Sequence, residues 1–298
     1  MIRRSCMSIK FKWGKKAAMA IKMDGKALAG KMRAQIREEV AKLSRKPTLA
    51  VILVGEDPAS QVYVRNKEKD CVECGILSQG YRLPAETSEQ QLLDLIDVLN
   101  GNEAVDGILV QLPLPGHISK EKVIRAIRPD KDVDAFHPFN VGKIVTGEEG
   151  FLPCTPAGVM ELLAEYQIEI EGKECVVLGR SNIVGKPMAL LLLRENGTVT
   201  VCHSKTRDLK ETVRRADLLV SAVGKYGIVT GDMVKEGAVV IDVAMNRNAE
   251  GKLCGDCVYE EVAEKASYIT PVPGGVGPMT RLILMKNTLT AAKAHIEK

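Results

Sequence analysis

The clearest chemical signal in the sequence is a turn that contains two glycines, between an apolar run and a helical pattern. The stretch ECVVLGRSNIVGKP, residues 174–187, places the apolar run 175–178 before Gly179 and Gly185, and residues 188–193 read as helix. A strand, a glycine turn and a helix in this order present backbone N–H groups and a helix dipole to a phosphate. Ser181 replaces the second glycine of G-x-G-x-x-G and Gly185 comes one residue late, so an ordinary strand–helix turn is the alternative.

The next apolar run ends in residues that favour a phosphorylated ribose. Residues 198–202 lead into His203-Ser204-Lys205-Thr206, where an NAD enzyme usually carries an acidic residue for the ribose 2′-hydroxyl. Hydroxyls and a cation at this place, with Arg180 beside the turn, suit the 2′-phosphate of NADP. A solvated basic loop is the alternative interpretation.

The first half of the chain carries a second group of candidate residues. Tyr63 and Lys67 are four residues apart in a helical pattern, so their side chains share one face. Gln111 lies at the end of an apolar run, where Pro113 and Pro115 prevent an inner strand from continuing. Because the carboxyl ends of parallel strands border the ligand crevice, we expect Gln111 near the site. The segment 271–280, rich in glycine and proline, can approach a ligand closely.

These residues need a layered scaffold, and the hydrophobic pattern predicts an α/β protein with two domains. In the first half, strands at 48–54, 80–83 and 105–112 alternate with helices at 24–43, from about Ser60, at 89–100 and at 117–128. A helix at 157–166 links the halves. Strands at Cys175, Val199, Leu218, Val239 and Tyr268 then alternate with helices, which predicts a doubly wound parallel sheet of the Rossmann type. The last helix, 281–296, returns to the first domain, and the ligand lies between the domains.

Length and composition agree with two domains and exclude some functions. The 298 residues carry a net charge of +4, but seven basic residues precede the first acid, so the remainder carries −3. This balance does not support a nucleic-acid face, and no apolar stretch reaches the roughly 18 residues of a membrane span. We therefore expect a cytoplasmic protein with neither partner.

The first 20 residues form a basic leader. Its sequence, MIRRSCMSIKFKWGKKAAMA, is basic and acid-poor like a transit peptide, but it has more lysine than arginine and little serine. We favour an upstream start codon or a loose tail, with structure beginning near Ala20.

The eight cysteines are scattered through predicted strands and helices, unlike a disulfide framework. Two C-x-x-C pairs occur, Cys71/Cys74 and Cys254/Cys257. Since the pairs are far apart and the first lies within a predicted helix, we interpret them as buried small side chains and predict no metal site.

Seven motifs in order resemble one enzyme family. They are SQVYVRNKEKDCVECGI, VQLPLP, KDVDAFHP, PCTP, GRSNIVGKP, HSKT and PVPGGVGPMT, spread over about residues 21–294. In this order they resemble bifunctional methylenetetrahydrofolate dehydrogenase/methenyltetrahydrofolate cyclohydrolase. The resemblance implies NADP-dependent oxidation of 5,10-methylenetetrahydrofolate to the methenyl compound, then hydrolysis to 10-formyltetrahydrofolate. It also implies a homodimer in one-carbon metabolism that serves purine and amino-acid biosynthesis.

The resemblance also implies which residues act. It divides the chain into a leader (1–20), a folate-binding catalytic domain (21–152 with 281–298) and an NADP-binding domain (153–280). The implied catalytic residues are Lys67, Tyr63, Gln111 and Asp134. The implied substrate contacts are Ser60, Tyr63, Val110, Gln111, Leu112, Asp134, Pro273, Gly274, Gly275, Val276 and Gly277. The implied cofactor contacts are Gly179, Arg180, Ser181, Val184, Gly185, His203, Ser204 and Met245.

Chemistry gives these residues distinct roles. Hydride leaves a carbon between two nitrogens without a base, so oxidation depends on positioning. Hydrolysis requires a base for the attacking water, and a neutral Lys67 could serve. Gln111 can hydrogen-bond the amine without stabilising an ammonium, Tyr63 can stack on the folate, and Asp134 can accept hydrogen bonds from the pterin edge. The plainer alternatives are a solvated lysine, a core tyrosine, a strand end and an ordinary loop acid.

Three places depart from the family pattern. Ala135 replaces a glycine after KDVD, Ala244-Met245 replaces Gly-Ile, and Cys257 replaces a valine after Gly-Asp. An alanine at 244 would be strained if a positive φ is required, or would crowd the nicotinamide if close approach is required. We expect these departures to affect the affinity for the cofactor or the preference for NADP over NAD. A dehydrogenase of another substrate on the same plan, such as an amino-acid or shikimate-type enzyme, and a non-catalytic folate- or nucleotide-binding protein are the competing hypotheses.

Overall fold

The computed structural model describes residues 19–297 of the chain. The predicted leader lies outside the described residues, except for Met19 and Ala20. The Ala20 backbone N–H donates a hydrogen bond of 2.9 Å to the Ala263 carbonyl, so the backbone is hydrogen-bonded to the rest of the protein from Ala20 onward. Within residues 19–297, no helix combines the length and the apolar content needed to cross a membrane.

Two groups of elements follow the two halves of the chain. The first contains β1 (Ile21–Lys22), α1 (Gly25–Val40), β2 (Thr48–Val54), α2 (Pro58–Cys74), β3 (Leu77–Leu83), α3 (Glu89–Gly101), β4 (Gly107–Val110), α4 (Lys120–Ala126) and α5 (Pro138–Thr146). The second contains α6 (Cys154–Glu165), β5 (Glu174–Leu178), α7 (Gly185–Arg194), β6 (Thr198–Cys202), α8 (Leu209–Arg214), β7 (Leu218–Ser221), a 3-10 helix (Gly231–Met233), β8 (Val239–Asp242), β9 (Asn246–Arg247), β10 (Leu253–Cys254), α9 (Tyr259–Ala263), β11 (Tyr268–Ile269) and α10 (Val276–Ile296).

The first sheet is parallel, with strand order β3-β2-β4. Every residue of β2 is buried, because helices cover both faces of the sheet. Leu49, Val51 and Leu53 pack in the core that contains residues of α1, α2 and α10. Ala50 and Ile52 point the opposite way and pack with residues of α3 and α4. The apolar run predicted as a strand is therefore a central strand buried on both sides.

The second sheet has six parallel strands in the order β1-β11-β8-β7-β5-β6. The doubly wound parallel sheet and the α/β class are confirmed. Ile21 and Lys22 pair with Tyr268 and Ile269, so this two-residue strand belongs to the second sheet although the sequence analysis assigned it to the first domain. So short a strand has no pattern of its own, and only tertiary pairing defines it.

The C-terminal helix joins the two halves. Helix α10 packs against α6, α1 and α2, and it begins at Val276, five residues before the predicted start. Its Asn287 side-chain amide donates to the Val133 carbonyl (2.8 Å) and to the Leu152 carbonyl (3.1 Å). One apolar core runs from β2 through α10 and α6 to β5, which fixes the halves against each other.

Several predicted element boundaries are corrected. Helix α2 begins at Pro58 and is capped by Asp57, whose carboxylate accepts a hydrogen bond from the Ser60 N–H, so Ser60 lies inside the helix. The predicted helix 117–128 is only Lys120–Ala126, the predicted strand 105–112 is Gly107–Val110, and β3 begins at Leu77. Helix α5 was not predicted. The prolines and the side-chain caps, rather than the apolar pattern, set these ends.

Candidate active site

Lys67 and Gln111 meet at the carboxyl end of the first sheet. Lys67 is half-buried on α2, and its Nζ donates a hydrogen bond of 3.0 Å to Oε1 of Gln111. The Gln111 backbone N–H continues the pairing of β4 by donating to the Ile52 carbonyl (2.8 Å), and its side chain is buried. Its Nε2 donates to the Leu112 carbonyl at 2.6 Å. Since the amide nitrogen is engaged there, the amide oxygen faces the lysine.

The KDVD loop presents Asp134 to the same place. The buried carboxylate of Asp132 accepts hydrogen bonds from the His137 N–H (2.8 Å), the Asn140 side chain (2.9 Å) and the Phe136 N–H (3.3 Å), and these bonds fold the loop. Burial raises the pKa of Asp134, while the charge of Lys67 and a hydrogen bond from the Cys154 thiol act in the opposite direction. Lys67 is therefore close enough to influence both Gln111 and Asp134.

Ala135, which replaces a glycine of the family pattern, adopts the left-handed conformation. Its φ is +58° and its side chain is fully buried. The left-handed region costs an alanine roughly 1–2 kcal/mol relative to its preferred conformation. Burial of the methyl group returns about 0.8 kcal/mol, and glycine would lose more backbone entropy. The cost of the left-handed conformation is thus nearly offset by methyl burial and the smaller loss of backbone entropy, which explains why alanine is tolerated.

Tyr63 reaches across the cleft to the nucleotide half. The residue is 38% exposed, and its hydroxyl donates a hydrogen bond of 3.2 Å to Sδ of Met245, in the loop after β8. The two residues are 182 positions apart in sequence. The face of α2 that carries Tyr63 and Lys67 is therefore close to the loop that follows strand β8 of the second sheet.

The glycine-proline segment lies at the start of α10 and touches α1. The Gly275 N–H donates to the Pro271 carbonyl (2.8 Å), and the Gly274 carbonyl accepts a hydrogen bond from the Lys26 N–H (3.0 Å). Pro273 and Gly277 are exposed, Gly274 is half-buried, and Gly275 and Val276 are buried. Part of the segment is thus exposed, and the buried part anchors it.

The remaining predicted substrate residues are buried or half-buried. Ser60 is buried in the first turn of α2. Val110, Leu112 and Asp134 line one small cavity of about 20 Å³ together with apolar side chains of β4 and α4. That volume holds no more than a single water molecule.

The predicted phosphate turn has the close packing that only glycine permits. Gly179 has a φ of +122°, and a Cβ at this residue would lie 2.5 Å from the Ala222 carbonyl oxygen. A Cβ on Gly185 would lie 2.3 Å from the Gly179 carbonyl oxygen, so α7 begins directly on the turn. The Ser181 hydroxyl accepts hydrogen bonds from the Val184 N–H (3.2 Å) and the Gly185 N–H (3.3 Å). The serine therefore orders the helix N-terminus, and exposed Arg180 stands beside it.

The loop after β6 is equally well defined. The His203 N–H donates to the Thr206 hydroxyl (2.8 Å), and the Lys205 N–H donates to Nδ1 of His203 (3.1 Å). These bonds leave the Ser204 side chain exposed next to a half-buried His203. The turn at Gly179 and this loop lie at the ends of adjacent strands, because β5 pairs with β6. The exposed side chains of Arg180 and Ser204 at these two ends are donors suited to the diphosphate and the ribose 2′-phosphate of NADP.

Two buried aspartates, Asp256 and Asp242, were not predicted as site residues. They hold the loops that follow β7 and β8 at the carboxyl end of the second sheet. The carboxylate of Asp256 accepts hydrogen bonds from the N–H groups of residues 223, 224 and 225, at 2.8, 3.0 and 2.7 Å, and from the Ser221 hydroxyl (2.8 Å). Burial raises the pKa of Asp242, which accepts hydrogen bonds from the Ala244, Asp256 and Cys257 N–H groups. The sequence gives one sign of Asp242, because an acidic residue ends the otherwise apolar run VVID. Ala244 is buried and does not have a positive φ, so the strain considered for it does not arise.

The cysteines of the first C-x-x-C pair are buried in α2. Burial raises the pKa of both Cys71 and Cys74 to about 12, which makes them poor nucleophiles. Cys257 is buried as well, and Cys254 is half-buried. Residues 19–297 contain no cluster of three or more histidine, cysteine or acidic side chains that could hold a metal ion.

Comparisons with known proteins agree with this geometry and confirm the resemblance seen in the motifs. The catalytic-domain model of the tetrahydrofolate dehydrogenase/cyclohydrolase family matches residues 23–134, and the NAD(P)-binding-domain model of that family matches residues 153–296. The bifunctional protein FolD of Lachnoclostridium phytofermentans is 59% identical over 278 residues, covering 92% of this chain and 99% of that protein.

Solved structures give the same result. The FolD enzyme of Campylobacter jejuni is 52% identical with a TM-score of 0.91, covering 93% of this chain and 99% of that one. The Trypanosoma brucei enzyme, solved with NADP and an inhibitor, is 42% identical with a TM-score of 0.90, covering 94% of this chain and 100% of that one. The present chain belongs to the tetrahydrofolate dehydrogenase/cyclohydrolase family.

Proposed function

We propose that this chain oxidises 5,10-methylenetetrahydrofolate with NADP⁺ and then hydrolyses the methenyl product to 10-formyltetrahydrofolate. The observation that supports this most directly is the hydrogen bond from Lys67 to Gln111 at the carboxyl end of the first sheet. An amine held by a neutral amide is suited to accept a proton from water. Family membership supplies the substrate and the cofactor class.

For the oxidation, the protein's task is to position two ligands. When bound, NADP⁺ would accept the hydride from the methylene carbon. The turn residues Gly179, Arg180, Ser181, Val184 and Gly185 would hold the diphosphate, while His203 and Ser204 would hold the 2′-phosphate. Met245 would border the nicotinamide end of the site. No protein base is needed, because the hydride leaves from a carbon between two nitrogens.

For the hydrolysis, Lys67 would act as the general base. A water attacks the methenyl carbon and loses a proton to the neutral amine of Lys67. The new hydroxyl then loses its proton as the bond from that carbon to N5 breaks, and N5 takes up a proton to give the 10-formyl product. Gln111 accepts a hydrogen bond from the lysine without adding a second negative charge to that of the nearby Asp134 carboxyl, on which the charge of Lys67 already acts. The cationic substrate disfavours a second positive charge nearby, which also favours the neutral amine.

Folate binding would use both walls of the cleft. Tyr63 would stack on the folate ring, and Asp134 would accept hydrogen bonds from the amino-pyrimidinone edge of the pterin. Val110 and Leu112 would form the floor beneath them, with Ser60 supporting the first turn of α2. The segment from Pro273 to Gly277 would cover the opposite side.

The same family membership supports the setting of the reaction. We place the enzyme in the cytoplasm as a homodimer whose product supplies one-carbon units for purine and amino-acid biosynthesis. The division of the chain into a folate-binding part and a nucleotide-binding part belongs to this proposal.

A two-product assay tests the proposed function. Purified protein receives 5,10-methylenetetrahydrofolate with NADP⁺ or NAD⁺, and reduced cofactor and 10-formyltetrahydrofolate are measured together. We expect both products to form, with NADP⁺ preferred. Formation of reduced cofactor without 10-formyltetrahydrofolate would contradict the proposed hydrolase activity. Formation of neither product would contradict the whole proposal.

A further inference from the structure

The contact between Tyr63 and Met245 links the two halves of the candidate site. The hydroxyl of Tyr63 lies 3.2 Å from Sδ of Met245. Among the side chains of residues 19–297, Met245 is the only hydrogen-bond partner of this hydroxyl. The direction of the tyrosine ring is therefore set from the nucleotide half of the molecule.

The backbone around Met245 is fixed, so its side chain can act as a defined contact. The Ala244 N–H donates to the buried carboxylate of Asp242 (3.3 Å). The Asn246 side chain donates to the Gly255 carbonyl (3.0 Å) and to Asp256 (3.1 Å). Residues on both sides of Met245 are thus held by buried partners.

The Met245 side chain itself extends into the cleft. It is 45% exposed, and its Cε lies 3.7 Å from where a Cβ of Gly277 would be. The thioether therefore lies between Tyr63 on α2 and the first turn of α10. Isoleucine, the residue in the family pattern, has no atom that could accept the tyrosine proton, whereas sulfur is a weak acceptor.

We propose that Met245 is a positioning residue for Tyr63, acting on folate binding through the tyrosine hydroxyl. This inference rests on the proposed function, in which the Tyr63 ring stacks on the folate. With the acceptor present, the ring is held in one orientation before the substrate arrives. Without it, substrate binding must order the ring, and that cost weakens folate binding.

The simpler alternative is that Met245 only borders the cofactor. Leucine at 245 has a similar volume but no acceptor, and phenylalanine at 63 keeps the ring but removes the donor. If Met245 acts through the hydroxyl, Met245→Leu affects the enzyme only when that hydroxyl is present. A role in lining the cofactor site does not depend on residue 63.

Four proteins test this: wild type, Met245→Leu, Tyr63→Phe and the double variant. KM for 5,10-methylenetetrahydrofolate, KM for NADP⁺ and kcat are measured for each. We expect Met245→Leu to raise the folate KM about three- to fivefold in the wild-type background, the size of one weak hydrogen bond. In the Tyr63→Phe background we expect a change of less than about 1.5-fold, because the contact is already absent.

Met19→Leu is the matched control, since it makes the same chemical change at an exposed methionine on the N-terminal segment. An equal rise in folate KM in both backgrounds, a rise confined to the NADP⁺ KM, or no change would overturn the proposal. An inactive wild-type protein would count against the proposed function instead, so the two failures are distinguishable.

Discussion

Gly25 and Gly275 approach so closely that a Cβ built on Gly25 would lie 1.9 Å from the Gly275 carbonyl oxygen. The N-terminus of α1 therefore packs directly on the backbone of the segment proposed to cover the folate. The neighbouring hydrogen bond from the Lys26 N–H to the Gly274 carbonyl, at 3.0 Å, fixes the same contact. A residue outside the proposed site thus determines where one wall of the cleft lies.

Gly25→Ala should consequently displace residues 273–277, since a carbonyl carbon also lies 2.7 Å from the added methyl group. We expect the KM for 5,10-methylenetetrahydrofolate to rise by about tenfold or more, because misplacing a binding wall by an ångström is costly. Steady-state kinetics check this. Gly30→Ala, in the same helix and with open space around it, is the control. It should keep the KM and stabilise the protein by about 0.5–1 kcal/mol; an unchanged KM in Gly25→Ala would contradict the expectation.

Asp70 ties the helix that carries Lys67 to two other helices. Its buried carboxylate lies 2.7 Å from the Arg33 guanidinium of α1 and 3.1 Å from that of Arg281 on α10. Asp70→Ala would leave Arg281 without this carboxylate and would leave Arg33 only its ion pair with Glu73, at 2.8 Å. We expect the free energy of unfolding to fall by about 2–3 kcal/mol in a urea titration, below the upper range for buried pairs because both arginines are partly exposed.

Asp97→Ala provides the comparison, because Asp97 is exposed on α3. It should change stability by less than about 0.5 kcal/mol. Equal effects of the two substitutions would show that the ion pairs contribute nothing.

A pH dependence of stability is expected from Asp106. Burial raises its pKa, but hydrogen bonds from Arg45 (2.7 Å), the Thr48 N–H (2.8 Å) and His295 (3.1 Å) outweigh burial and lower it. A carboxyl with a lowered folded-state pKa stabilises the protein above its unfolded-state value, about 3.9. That contribution is lost as the pH falls further, through the folded-state pKa.

The measurement compares unfolding free energies of wild type and Asp106→Asn between pH 6 and pH 3. Wild type should lose stability more steeply below about pH 4, because only its carboxylate takes up a proton on unfolding. If the unfolding free energies of the two proteins fell in parallel with pH, the assignment of this pH dependence to Asp106 would be refuted.

The neutral amide beside Lys67 gives a further prediction. Gln111→Glu places a carboxylate where Oε1 now lies 3.0 Å from the amine, and the charge would hold the lysine as ammonium. We expect hydrolysis of the methenyl substrate to fall by about 100-fold or more near neutral pH. Gln111→Met, which has no charge and only a weak sulfur acceptor, should lose less activity. If the glutamate variant hydrolysed the substrate as fast as the methionine variant, the electrostatic argument would fail.

The regular part of the fold could be predicted because local patterns encode it. The all-apolar β2, the alternation of strands and helices in the second half, and the glycine turn after β5 each have a short-range signature. Gln111 could be placed near the site because a strand must end at Pro113 and parallel strands present their carboxyl ends together.

Other features could not be predicted because they depend on contacts distant in sequence. Strand β1 exists only through its pairing with Tyr268 and Ile269. The Tyr63–Met245 contact and the Asp70–Arg281 ion pair leave no local trace. Helix α5 had a readable signal, since Pro138 occupies its first turn and Gly147 ends it with a positive φ, but no element was predicted for its nine residues.

The most direct test of the account is Lys67→Met. Hydrolysis of 5,10-methenyltetrahydrofolate is measured beside the affinity for NADP⁺, with Lys69→Met, an exposed lysine on the same helix, as the control. The account predicts that hydrolysis falls by about 100-fold or more in Lys67→Met while NADP⁺ affinity stays within twofold of wild type, and that Lys69→Met keeps both. Hydrolysis in Lys67→Met within about fivefold of wild type would contradict the central claim that Lys67 is the base.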